Sequence, residues 1–118
     1  MAKVLVVDDD ESLRILYSKE LKDEGYQVET VSSGKEALDS ISASRPDIVV
    51  LDIKMEGMDG LSVLDEIMKT DRTIPVILNT AYSTFKSDFT TWSADAYVVK
   101  SSDLTELKET VRSILQAR

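Results

Sequence analysis

Four apolar runs in this sequence each end on a side chain suited to handling a charged group. Val4-Leu5-Val6-Val7 leads into Asp8-Asp9-Asp10, and Ile48-Val49-Val50-Leu51 leads into Asp52. Val76-Ile77-Leu78-Asn79 leads into Thr80, and Ala96-Tyr97-Val98-Val99 leads into Lys100. Carboxylates are hard oxygen ligands of the kind Mg²⁺ prefers. A carboxylate can also attack phosphorus and form a mixed anhydride. A lysine and a hydroxyl nearby would neutralise and hydrogen-bond the oxygens of a transferring phosphoryl group.

The runs themselves say where these groups should meet. A short, β-branched apolar run reads as a strand buried on both faces, as in a parallel sheet. In an open α/β sheet, ligands bind at the C-terminal ends of such strands. Three carboxylates, a lysine and a hydroxyl would therefore converge on one edge. Taken singly, each has a plainer reading. Asp8 and Asp9 could be N-terminal caps favoured by a helix dipole, Lys100 a surface lysine and Thr80 a turn residue. Asp52 at a second strand end is what favours a shared site. Asp10 reads as a solvated residue or a cap for the first helix.

Between the runs lie helical patterns, giving strand–helix repeats without a linker. The first helix is predicted from Glu11 to Glu24, with Leu13, Leu16, Tyr17 and Leu21 inward and Gly25 as its stop. A second strand falls near Gln27 to Val31. Ser33 and Glu36 form a capping box for a helix that turns Ala37, Leu38 and Ile41 inward. Pro46 and Pro75 precede the third and fourth strands. Asp59 can cap a third helix packing Leu61, Leu64, Ile67 and Met68. Asp103 and Glu106 form a second capping box before a last helix with Leu104, Leu107, Val111 and Ile114 inward. A weak fourth helix falls in Tyr82–Ser93, where Ser and Thr compete with the helical backbone and only Phe85, Phe89 and Trp92 form an apolar stripe. Alternating strands and helices call for an α/β fold, a parallel sheet with helices on both faces.

Composition narrows the class. At 118 residues the chain is one domain with room for a real core. No apolar stretch is long enough to span a membrane. The first strand begins almost at once, leaving no space for a signal peptide before it. The sequence holds no cysteine, hence no disulfide framework and no thiolate metal site. These features fit a cytoplasmic protein. A net charge of -8 argues against general binding to nucleic acid, which needs clustered Lys and Arg.

Taken in order, Val7-Asp8-Asp9, Leu51-Asp52-Ile53-Lys54-Met55, Gly57-Met58-Asp59-Gly60, Asn79-Thr80-Ala81 and Asp95-Ala96-Tyr97-Val98-Val99-Lys100 resemble the receiver domain of two-component response regulators. The resemblance covers essentially the whole chain, residues 1–118. It implies a flavodoxin-like (βα)5 fold with strand order 2-1-3-4-5. It also implies a phosphoaccepting switch rather than a dedicated enzyme, one that assists its own phosphorylation and dephosphorylation. Asp52 would accept the phosphoryl group from a sensor histidine kinase or histidine phosphotransfer protein. Asp9, Asp52 and the backbone carbonyl of Lys54 would coordinate Mg²⁺, with Asp8 acting through water. Lys100 and Thr80 would engage the phosphoryl oxygens, and Thr80 with Tyr97 would form the switch. A static, half-buried strand tyrosine is the alternative for Tyr97.

The implied output surface is the face of the fourth helix, fifth strand and last helix, bearing Glu106, Lys108, Glu109, Arg112 and Ser113. A downstream effector, or a homodimer through that face, would read it. Glu56 and Ser101 stand where the family usually carries proline. A serine at 101 favours a trans Lys100–Ser101 bond, because the cis form costs about 2.5–4 kcal/mol outside proline. Lys54 and Tyr82 fill the two variable positions that, in the family, tune the lifetime of the phosphoryl group.

Two other functions share parts of the pattern. A haloacid-dehalogenase-like phosphohydrolase would use the Asp8-x-Asp10 pair with Asp8 as nucleophile, but needs a further acidic motif after Lys100 and a substrate cap. A flavodoxin-like FMN carrier needs a Ser/Thr/Gly-rich loop after the first strand, where this chain has aspartates.

Overall fold

The computed structural model describes residues 1–82 and 93–117. Five strands form one parallel sheet in the order β2-β1-β3-β4-β5. They are β1 (Lys3–Val7), β2 (Gln27–Val31), β3 (Ile48–Leu51), β4 (Val76–Thr80) and β5 (Ala96–Val99). Among the described residues the helices are α1 (Glu11–Asp23), α2 (Gly34–Ala43), α3 (Gly60–Thr70) and α4 (Thr105–Gln116). The weak helix expected around Phe85, Phe89 and Trp92 lies outside the described residues.

Strand alternation divides the core in two. Val4, Val6, Ile48, Val50, Ile77 and Val98 pack beneath α1 and α4 with Tyr17, Leu21, Leu107 and Val111. Leu5, Val7, Val49, Leu51, Val76 and Leu78 pack beneath α2 and α3 with Ala37, Ile41, Val63, Leu64 and Ile67. Both sheet faces are covered, which is why β1 from Val4, β3 throughout and β4 as far as Leu78 read as apolar runs.

Several local expectations hold at the residue level. Asp10 caps α1, its side chain accepting the Leu13 N–H. Ser33 caps α2 through the Glu36 N–H. The Glu36 carboxylate closes back on Ser32 instead of Ser33, taking both its N–H and its hydroxyl at 2.7 Å. Asp59 caps α3 through the Ser62 N–H. No peptide bond is cis among the described residues, so Lys100–Ser101 is trans.

Other expectations need correction. Leu16 is 39% exposed, because the buried stripe of α1 follows Tyr17 and Leu21 and leaves Leu16 on its flank. The last helix starts at Thr105 behind Leu104, so Asp103 is not its cap. Asp103 instead accepts the Thr105 N–H and hydroxyl in a turn just outside the helix. Lys108, expected to face outward, is half-buried and meets Glu20 of α1 at 2.7 Å, whereas Arg112 stays exposed as expected while it meets Glu24 at 2.9 Å.

At the opposite end of the molecule from the strand tips, Arg45 ties the turn before β3 to the turn after α3. Its guanidinium donates to Asp71 at 2.9 Å and to Thr73 at 2.8 Å. Hydrogen bonds from Thr73 and then Arg45 hold the Asp71 carboxyl down at about 2. A depressed acid contributes stability above its ordinary value of 3.8, and that contribution is lost as pH falls through about 2. Carboxyl-carbon NMR should find Asp71 still ionised at pH 3, with its midpoint moving up in Arg45→Met. An unshifted midpoint in the variant would remove Arg45 from the cause.

Candidate functional site

Adjacent parallel strands bring the apolar runs into register, and their ends meet. Val7 pairs with Leu51, Leu51 with Leu78, and Thr80 with Val99. The Asp52 N–H donates to the Val7 carbonyl at 3.0 Å, and the Asp8 N–H to Val31 at 3.2 Å. The Lys100 N–H donates to the Thr80 carbonyl at 2.7 Å. Asp8, Asp52 and Lys100 are thus each the first residue past a strand, and Thr80 is the last one in its own.

The side chains close the arrangement. Lys100 Nζ lies 2.8 Å from an Asp8 carboxylate oxygen and 3.2 Å from one of Asp52. Carboxylate oxygens of Asp8, Asp9 and Asp52 lie within 4.8 Å of one another. Asp8 and Asp52 are buried and Asp9 is exposed. Hard oxygens crowded this closely at a sheet edge, with one face open to solvent through Asp9, fit a small divalent cation. Asp9 also accepts the Glu56 N–H at 3.3 Å, which ties the β3–α3 loop to the β1–α1 turn. Lys54 sits in that loop two residues past Asp52, with its side chain exposed.

Burial pushes the Asp52 carboxyl above the ordinary carboxylate range; Lys100 pulls it down, and the Asp8 charge pushes it up again. Burial also works against the charge on Lys100. The hydrogen bond to Asp8 and the attraction of Asp52 and Asp8 outweigh it, so the ammonium is held above the usual lysine value. One cation is shared between two buried anions.

Thr80 is fully buried, and its hydroxyl accepts from the Tyr82 N–H at 3.4 Å. By alternation it faces the α2–α3 side, with Val76 and Leu78. Tyr97 packs its half-buried ring on that same side, and its hydroxyl donates to the Tyr82 carbonyl. Thr80 and Tyr97 are therefore on one face of the sheet, joined through the backbone of Tyr82.

Residues 4–112 match the model of the response regulator receiver domain. The chain belongs to that family. This receiver domain is 36% identical over 115 residues to sporulation initiation phosphotransferase F of Bacillus subtilis, a match spanning 96% of the chain and 93% of that protein. Other curated relatives are longer, and the receiver domain spans only 45–51% of their length. Response regulator TrrA of Thermotoga maritima, solved with Mg²⁺-BeF, superposes with a TM-score of 0.94 at 46% identity, over 97% of this chain and 99% of that one. A second TrrA structure, in complex with the histidine kinase ThkA, gives 0.92 at 46% identity over 98% and 99% of the two chains. Within the described residues of the receiver domain, no helix is long and apolar enough to cross a membrane.

Reading the sequence did not single out Arg14, whose guanidinium donates to the Asp8 carbonyl at 2.8 Å. Its signal was position: an arginine one turn into the helix that follows the aspartates. Tyr17 and Asn79 were missed as a pair. They are 2% and 3% exposed, and the Asn79 amide donates to the Tyr17 hydroxyl at 3.1 Å under α1. An Asn inside an otherwise apolar strand was the only trace.

Proposed function

We propose that residues 1–118 form a phosphoaccepting switch of a two-component system, in which Asp52 receives a phosphoryl group from a sensor histidine kinase or histidine phosphotransfer protein. The observation that carries this is Lys100 bridging Asp8 and Asp52 beside an exposed Asp9, with all three carboxylates within reach of one cation. The two TrrA structures support it, one with Mg²⁺-BeF and one with its kinase.

In the transfer, an Asp52 carboxylate oxygen bonds to phosphorus as the bond from phosphorus to the donor nitrogen breaks. The bonding pair leaves with that nitrogen. Asp9, Asp52 and the Lys54 carbonyl would hold Mg²⁺, with Asp8 acting through water. The ion neutralises the phosphoryl oxygens when bound. Lys100 supplies the matching charge from the other side and keeps its contact with Asp8. The Thr80 hydroxyl, accepting from Tyr82, has its own proton to give a phosphoryl oxygen. As Thr80 is drawn in, the Tyr97 ring gives up Tyr82 and moves inward, a local charge event read out by packing.

The changed surface is built on β5 and α4, where a downstream effector or a second copy of the domain would bind; the fourth helix of the expected face lies outside the described residues. Glu106, Glu109, Arg112 and Ser113 are exposed on α4, Arg112 while paired with Glu24, and Lys108 is half-buried against Glu20. The protein acts in the cytoplasm as a signalling part. It assists its own phosphorylation and hydrolysis rather than turning over a separate substrate, and binds neither nucleic acid nor membrane itself.

Incubation with Mg²⁺ and acetyl phosphate, followed by intact mass spectrometry, is the test. The expected result is a mass gain of one phosphoryl group per chain, absent without Mg²⁺ and absent in Asp52→Asn. Continuous release of phosphate that survives Asp52→Asn and is lost in Asp8→Asn would overturn the reading in favour of a phosphohydrolase.

A further inference from the structure

Asp8 is fixed from four directions. Its N–H donates to Val31 at 3.2 Å, its Oδ1 accepts the Asp10 N–H at 2.9 Å, and its Oδ2 meets Lys100 at 2.8 Å. The fourth tie is to its main-chain carbonyl, which accepts from Arg14 Nη1 at 2.8 Å. Arg14 is joined to the same turn a second time, since its own N–H donates to the Asp10 carbonyl at 3.0 Å. The turn from Asp8 to Asp10 is therefore held from the helix side by one residue, through main chain and side chain together.

We propose that Arg14 is a positioning residue for the cation site, holding the Asp8–Asp9 turn so that both carboxylates face Asp52. This inference rests on the reading of Asp8, Asp9 and Asp52 as the Mg²⁺ site. Groups behind the ligands of a metal commonly set its affinity by about 10–100-fold, because they decide how much ordering the ligands must undergo on binding. A carbonyl held by one N–H of a permanently charged guanidinium is suited to that task.

The alternative role for Arg14 is charge balance near a crowded acidic cluster. The two roles predict opposite signs. Removing a nearby positive charge should tighten the binding of a divalent cation, whereas releasing the turn should weaken it.

Isothermal titration with Mg²⁺ of the parent, Arg14→Met, Arg14→Lys and Asp9→Asn decides between them. Arg14→Met is expected to bind about tenfold more weakly or worse. Arg14→Lys keeps the charge but carries its donor on a shorter stem, and should fall between it and the parent. In the metal-free variants the Asp10 amide should exchange with solvent faster than in the parent, and urea titration confirms that each variant is folded. Either folded Arg14 variant binding as tightly as the parent, or more tightly, overturns this inference alone. A parent that takes up no Mg²⁺, or an Asp9→Asn variant that binds as the parent does, overturns the metal reading and this inference with it.

Discussion

Gly60→Ala should destabilise the fold by about 3 kcal/mol or more and carry the carboxylate site with it. A Cβ built on Gly60 would lie 2.0 Å from the Asp52 carbonyl oxygen and 2.7 Å from the Ile53 Cα. Both obstacles are backbone, so no side-chain rotation relieves them. The Gly60 N–H donates to the Ile53 carbonyl at 2.8 Å, which holds the start of α3 against the segment that follows β3. To admit a methyl group, either α3 retreats and Asp59 loses its capping position, or Asp52 is displaced from Lys100. Gly57→Ala is the natural control. Gly57 has φ +77° with nothing near its would-be Cβ, so it should cost only about 1 kcal/mol of backbone strain. Urea titration of both variants checks the order. A Gly60→Ala protein as stable as Gly57→Ala would mean that α3 can move away freely.

The second large effect concerns sharing of charge. Lys100→Met should cost about 3–5 kcal/mol in metal-free protein, because it leaves the Asp8 and Asp52 carboxylates buried without their common cation. Asp52→Asn should act in the other direction, stabilising the metal-free fold by about 1–3 kcal/mol. The native state holds a proton on Asp52 more tightly than the unfolded chain does, since burial has raised its pKa. Above that raised value the ionised group subtracts from stability; the penalty fades as pH falls through it. Added Mg²⁺ should remove most of the Asp52→Asn gain, because it binds and stabilises the parent instead. The double variant should lose less than the sum of the two single effects gives, by about 1 kcal/mol or more. Additive effects would show that Lys100 acts on Asp8 and not on Asp52.

Much of this was written in the chain itself. Runs buried on both faces carry no alternation to confuse, so Val4–Val7 and Ile48–Leu51 announced their strands and the carboxylates at their ends. Caps such as Asp10 and Asp59 act on residues three positions away and could be read locally. What escaped was non-local. Lys108 looked like a free surface charge because its partner, Glu20, lies 88 residues away in sequence. The role of Gly60 depends on how closely a helix approaches a loop, which no spacing encodes. Arg14 looked like any helical arginine until its target proved to be a main-chain carbonyl. Leu16 shows the limit of periodicity: an apolar residue beside a stripe is not yet inside it.

The division of the core gives two consecutive residues of β4 different audiences. Asn79 speaks to Tyr17 beneath α1, while Thr80 turns toward the compartment that holds the Tyr97 ring. A twist of the Thr80 side chain is confined to its own compartment, but a slide of the β4 tip along the strand direction is delivered to both. Loss of a single residue from the body of β4 would exchange the two addresses. It would set an amide against the Tyr97 compartment and a hydroxyl against Tyr17, while the apolar side chains upstream of the deletion keep their own halves of the core. The parity of the strand is therefore as much a constraint on this molecule as the identity of any one side chain at its tip.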